Sequence, residues 1–142
     1  MALDDNQLSY LPEELSNLTE LKTLLIGRNQ FNEFDGEWIK LASLQELNIE
    51  YNQLQNFPET IGNLKMLKSV IADYNKLTFL PDGINRLDKL ELLSLAHNNI
   101  TKLPKDILGM KGLKTLILTG NPLDNVEKER IKKALPNCTV YF

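Results

Sequence analysis

The 142-residue sequence has one cysteine, one histidine and one tryptophan. Cys138 therefore has no partner for an internal disulfide. Cys138 and His97 alone fall short of a zinc ligand set unless several carboxylates complete it. Basic charge is not in excess: 16 Lys and Arg against 19 Asp and Glu leave a formal net charge of −3. That balance lacks the strongly basic face that nucleic acid calls for. No apolar run approaches the ~20 residues of a membrane-spanning helix. Asp4 and Asp5 stand where a secretory leader would need basic and then apolar residues, and localisation is left open. Catalytic signatures are missing as well. There is no glycine-rich phosphate loop, no HExxH, no cysteine pair and no nucleophile elbow. Ser94 lies three residues from His97, but no third group at a recognisable spacing orients the imidazole. The expectation is a protein that is not an enzyme and carries no cofactor. Glu50 and Asp73 are the one acidic pair worth weighing as a cation site, and a real site needs more convergent ligands than that.

What the sequence has is a repeat. Asn6, Asn29, Asn52, Asn75, Asn98 and Asn121 lie 23 residues apart, with no insertion or deletion. Counting this Asn as position 9, position 1 is Leu21, Leu44, Leu67, Leu90 and Leu113. Position 4 is Leu24, Leu47, Val70, Leu93 and Leu116. Position 6 is Leu3, Ile26, Ile49, Ala72, Leu95 and Leu118. Position 11 is Leu8, Phe31, Leu54, Leu77, Ile100 and Leu123. Positions 3 to 6 alternate apolar and variable residues, which predicts a half-buried strand. One strand per repeat, each returning to the same place, predicts a parallel sheet. The Asn is flanked by apolar columns, so it is expected inside, with its amide spent on backbone groups of neighbouring coils. Pro12, Pro58, Pro81 and Pro104 mark position 15 and suit the entry to a helical or irregular turn on the far side. The second repeat departs, with Asp35 in the proline column and Trp38 as a large core filler.

The string Leu-x-x-Leu-x-Leu-x-x-Asn-x-Leu, as in LELLSLAHNNI from Leu90 to Ile100, resembles the leucine-rich repeat signature. The extension from Leu103-Pro104 to Met110 is similar to the 23-residue class of Ras-suppressor-like and bacterial repeats, spirochaetal members among them. The resemblance covers residues 1 to about 124. It implies an α/β solenoid, a curved horseshoe with a parallel sheet on its concave face and short turns on its convex face. It also implies binding of a protein partner through the concave sheet, as in bacterial proteins that act on a host or at a surface.

Residues 1–142 read as one domain of about six units. The stretch 124–142 reads as a C-terminal cap, with Asp124 and Glu127 as a capping box and Pro136 as the stop of a helix. Thr139 to Tyr141 fall where the next strand is due, and Cys138 is expected as a small buried apolar group. The first repeat is incomplete, since Met1 stands at position 4. An open strand edge there, lined by Leu3, Leu8 and Leu11, suggests a homodimer or a self-assembling unit as the alternative to partner binding. Outward positions carry the candidate partner-binding residues: Glu46, Asn48, Glu50, Tyr51, Ile71, Asp73, Tyr74, Leu92, Ser94 and His97. Tyr51, Tyr74 and His97 share one column and form a stripe of rings. Rings and apolar anchors beside acids predict a protein interface whose partner presents a basic patch. The competing reading is that the rings pack along the rim and shield the Asn column.

Overall fold

The computed structural model describes residues 1–34, 36 and 38–142. The departure at Asp35 lies outside these residues. Six parallel strands form one open sheet in sequence order: β1 (Thr23–Leu25), β2 (Glu46–Asn48), β3 (Ser69–Ile71), β4 (Leu92–Ser94), β5 (Thr115–Ile117) and β6 (Thr139–Tyr141). Pairing follows the repeat: Thr23 faces Glu46, Glu46 faces Ser69, Ser69 faces Leu92 and Leu92 faces Thr115. Each repeat position thus becomes a straight row across the sheet. The strands are three residues long because the chain bends sharply just after them. Leu24, Leu47, Val70, Leu93 and Leu116 point inward and are buried. The fold is a curved α/β solenoid.

The returning half of each coil runs through a 3-10 turn. Pro12, Pro58 and Pro81 each stand immediately before one, at Glu13–Asn17, Glu59–Asn63 and Asp82–Arg86. Their fixed φ near −70° and missing N–H suit that entry. Trp38 is fully buried, meeting Phe31 edge-on at 5.2 Å and Phe34 at 4.4 Å between ring centres. It fills the second coil, as its size demands.

The buried Asn column is a hydrogen-bond ladder. Asn75 donates through Nδ2 to the Ile49 carbonyl of the previous coil and to Ala72 and Asp73 of its own. Its Oδ1 accepts from Leu54 N at 3.0 Å. Asn29, Asn52 and Asn98 repeat this pattern and are buried. The two ends of the column differ. Asn121 is half-buried, and Asn6 is exposed and bonds, among the described residues, to Leu3 and Asp4 of its own coil.

The first coil is less open than its sequence suggests. Leu11 is buried, while Leu3 and Leu8 are half-buried. Ala2 bridges to Leu25, and the Met1 ammonium donates to Thr23 O at 2.6 Å. The far end carries α1 (Asn125–Ala134), and Asp124 accepts from Glu127 N at 2.7 Å. Only that half of the capping box forms. Glu127 turns inward instead, accepting from Leu103 N and from Arg130. The Arg130 guanidinium holds its carboxyl below the usual carboxylate range. Spending the carboxylate on a buried backbone N–H satisfies a donor that a cap would not reach. Cys138 is half-buried rather than buried, and the desolvation it does suffer raises its thiol pKa.

Candidate interaction surface

Positions 3, 5, 7 and 8 of each coil form four outward rows. Position 8 has a backbone property that its side chains conceal. Asp5, Arg28, Tyr51, Tyr74 and His97 all have φ between 50° and 55°, and Gly120 has φ 76°. This left-handed residue turns the chain so that the following Asn swings back under the strand. In the middle coils the strained residue is secured by its own N–H. Tyr51 N donates to Asp73 O, Tyr74 N to Ala96 O and His97 N to Thr119 O.

The same turn aims the position 8 side chains along the solenoid, into one continuous pile. Arg28 lies 3.9 Å from Asp5 and 4.8 Å over the Tyr51 ring. Tyr51 stacks on Tyr74 at 4.3 Å, and Tyr74 on His97 at 4.4 Å. His97 then lies over Gly120, where a Cβ would meet Nδ1 at 2.5 Å. The ring faces are therefore covered by neighbours within the chain. Tyr51 and Tyr74 remain 41% and 42% exposed, so what they offer outward is ring edges and hydroxyls. Partial desolvation, then the neighbouring Tyr51, raise the Tyr74 pKa, and its phenol stays neutral at ordinary pH.

Because both strain and stacking act at Tyr74, they can be separated. Tyr74→Ala loses the stack and keeps the left-handed strain, whereas Tyr74→Gly loses the stack and relieves the strain. Denaturant midpoints should place the glycine variant above the alanine variant by about 1 kcal/mol. The opposite order would mean that backbone strain at position 8 is negligible.

The other candidates fall into two groups. Glu46 and Tyr51 are exposed, while Asn48, Glu50, Ile71, Asp73 and Leu92 are half-buried on the outward side. Asn48 Oδ1 accepts from Glu50 N at 2.9 Å and shapes the bend. Asp73 braces the next coil, accepting from Ser94 Oγ and Ala96 N, both at 2.7 Å. Asp4 does the same for Gly27 N. Ser94 is a correction: at 3% exposure, with its hydroxyl given to Asp73, it offers nothing to a partner. Sequence alternation alone missed this, because an acid one coil earlier folds over it. His97 is exposed, and no hydrogen bond joins it to Ser94 among the described residues.

Most of the described acids, Glu46 and Glu50 among them, stand outside ion pairs, and Glu46 accepts a hydrogen bond from Thr23 Oγ1 at 3.3 Å. The acids with an ion-pair partner among the described residues are Asp5, Glu59, Glu91, Glu127 and Glu129. No group of three or more His, Cys, Asp or Glu able to hold a metal occurs among the described residues. Nor is any helix among them long and apolar enough to cross a membrane.

Comparison with known proteins agrees with this geometry. A family model described as "Leucine rich repeat" matches residues 19–77 and 65–123. A solved leucine-rich repeat protein of Leptospira interrogans is similar over 100% of this chain, at 35% identity and a TM-score of 0.77. This chain spans 42% of that one. No curated protein matches.

Proposed function

The chain belongs to the leucine-rich repeat family, whose domains are generally protein-interaction modules, and on that premise we propose that it binds a protein partner through the concave face of its sheet. One observation carries the reading. The outward rows leave Ile71, Leu92 and Ile117 partly open, on the same sheet face as two carboxylates that have no ion-pair partner among the described residues. Apolar anchors with a charged margin are the composition of a protein-binding surface. The unpaired acids favour a partner with a basic patch, and they should act mainly on association rate and salt dependence. The Leptospira relative supports a bacterial setting, and a role at a host or cell surface is part of the proposal.

The rival reading, a hydrolytic or transfer activity at His97, has little to work with. The ring is spent on Tyr74 and Gly120, and the nearby serine is buried. A pull-down from the source organism, run with wild type, Glu46→Lys and Lys111→Glu, tests the proposal. Lys111 is exposed on the returning side of the coil. A partner lost with Glu46→Lys and kept with Lys111→Glu is expected. The reverse would place binding on the convex face.

A further inference from the structure

We infer that the concave face is divided along its length, and that it takes a partner segment that is cationic at one end and apolar at the other. This rests on the proposal of concave-face binding and adds the partner's chemistry and direction. Among the described residues no element covers the sheet face, and its rows change character between coils. In the third and fourth coils the outward rows hold Glu46, Glu50 and Asp73. From the fifth coil onward the same rows hold no acid and no base other than His97. In their place stand Leu92, Ile117 and Tyr141, continuous with Ile71 of the fourth coil. Ile117 is paired directly beside Tyr141, and Tyr141 is 52% exposed.

The charge at the acidic end is only partly satisfied from within: Glu46 accepts from Thr23 Oγ1 at 3.3 Å, and neither Glu46 nor Glu50 has an ion-pair partner among the described residues. Arg28, the one base on those rows, is already held against Asp5 and over the Tyr51 ring. Asp73 spends one oxygen on Ser94 and Ala96, which leaves Glu46 and Glu50 to meet a partner's cation. An anionic segment is repelled there. A uniformly cationic one would strand its charges over Leu92 and Ile117, where nothing pairs them. A uniformly apolar one would desolvate Glu46 and Glu50 with no compensation. Charge complementarity therefore selects a segment of mixed character.

The covered ring pile adds a restriction. With its faces occupied, the Tyr51–Tyr74–His97 column cannot lie flat on a partner's guanidinium or ring. It acts as a rigid margin that meets the segment with edges and hydroxyls. The cationic end is thus recognised by carboxylates rather than by stacking. From β2 to β6 there are four strand intervals of ~4.8 Å, so the two zones together span about 19 Å. An extended segment of about 6 residues, or about 13 residues of helix, spans that distance.

The probe is a synthetic peptide of about 12 residues, lysine-rich in one half and leucine- and valine-rich in the other, long enough to reach both zones. Fluorescence anisotropy compares it with peptides of each half alone, doubled to the same length. The mixed peptide should bind at least about tenfold more tightly than either. The double variant Glu46→Lys/Glu50→Lys should weaken it about tenfold and abolish its salt dependence. Ile117→Asp should weaken it by a similar factor and leave the salt dependence intact. Circular dichroism establishes that both variants are folded. A photo-crosslinker on the cationic end should attach within residues 46–51, and one on the apolar end within 115–141. Equal binding of the doubled peptides, or cross-links that do not sort by end, would overturn the division while leaving concave-face binding standing. Cross-links only to the returning side of the coils would overturn both.

Discussion

Replacing Asn75 with alanine should cost about 1–3 kcal/mol of folding stability, although the change removes no charge and little volume. The Asn75 amide closes four hydrogen bonds in the interior of a middle coil. Two of them cross between coils: Leu54 N donates to its oxygen, and its nitrogen donates to Ile49 O. Leu54 is fully buried, so no water replaces the partner that its N–H loses, while Ile49 O keeps the Asn52 amide at 3.1 Å. Stranding the Leu54 N–H costs about 1–3 kcal/mol. Asn6→Ala provides the comparison. Asn6 is exposed, and both of its bonds run to carbonyls that water can reach. Its loss should cost under about 1 kcal/mol. Equilibrium urea denaturation of the two variants measures both numbers. An Asn75→Ala midpoint equal to that of wild type would remove the ladder as a source of stability.

That contrast shows what the sequence makes legible. A strict 23-residue spacing tells which Asn is inside, because each apolar column beside it is inside too. It also fixes strand number, order and register, since the coils can stack in only one phase. It conveys less about what happens between columns. The left-handed turn at position 8 carries no glycine in five of six coils. Arg28, Tyr51, Tyr74 and His97 adopt a conformation that their residue types seldom take, and only the backbone reveals it. From that turn follows the ring pile, and with it the loss of the ring faces as contact surface. The stripe itself was readable from one column, whereas its use was not. Ser94 and Glu127 were misplaced for a related reason. Alternation and capping rules look along one strand or one helix, while Asp73 and Leu103 reach these residues from a neighbouring coil. The acidic and apolar zones of the concave face come directly from the sequence once the register is known. That Glu46 and Glu50 lack ion-pair partners needs the coordinates.

The convex side of the middle coils should tolerate change least of all. Gly83→Ala is expected to cost about 3 kcal/mol or more, or to prevent folding, because overpacking here has no flexible side chain to absorb it. Gly83 sits in the 3-10 turn Asp82–Arg86, and a Cβ placed on it would run into the Glu59 carbonyl of the previous coil. The obstacle is backbone, and that backbone is tied down. Arg86 pairs with the Glu59 carboxylate and donates to the same Glu59 carbonyl, while Lys65 donates to Arg86 O at 2.7 Å. Gly62 takes part in the same approach, since a Cβ on it would lie 2.5 Å from Gly83 O. The two coils meet through paired glycines, and any separation there must be transmitted to β2 and β3. Strand pairing on the other face of the solenoid resists it. Gly36 is the control. It is exposed, and a Cβ on it would meet nothing within 4 Å. Gly36→Ala should be neutral or stabilising by about 0.5 kcal/mol, through the reduced freedom of the unfolded chain. Thermal and denaturant unfolding of both variants decides the matter. Equal stability of Gly83→Ala and Gly36→Ala would mean that the convex turns yield easily, and that close backbone packing is not what holds the third and fourth coils together.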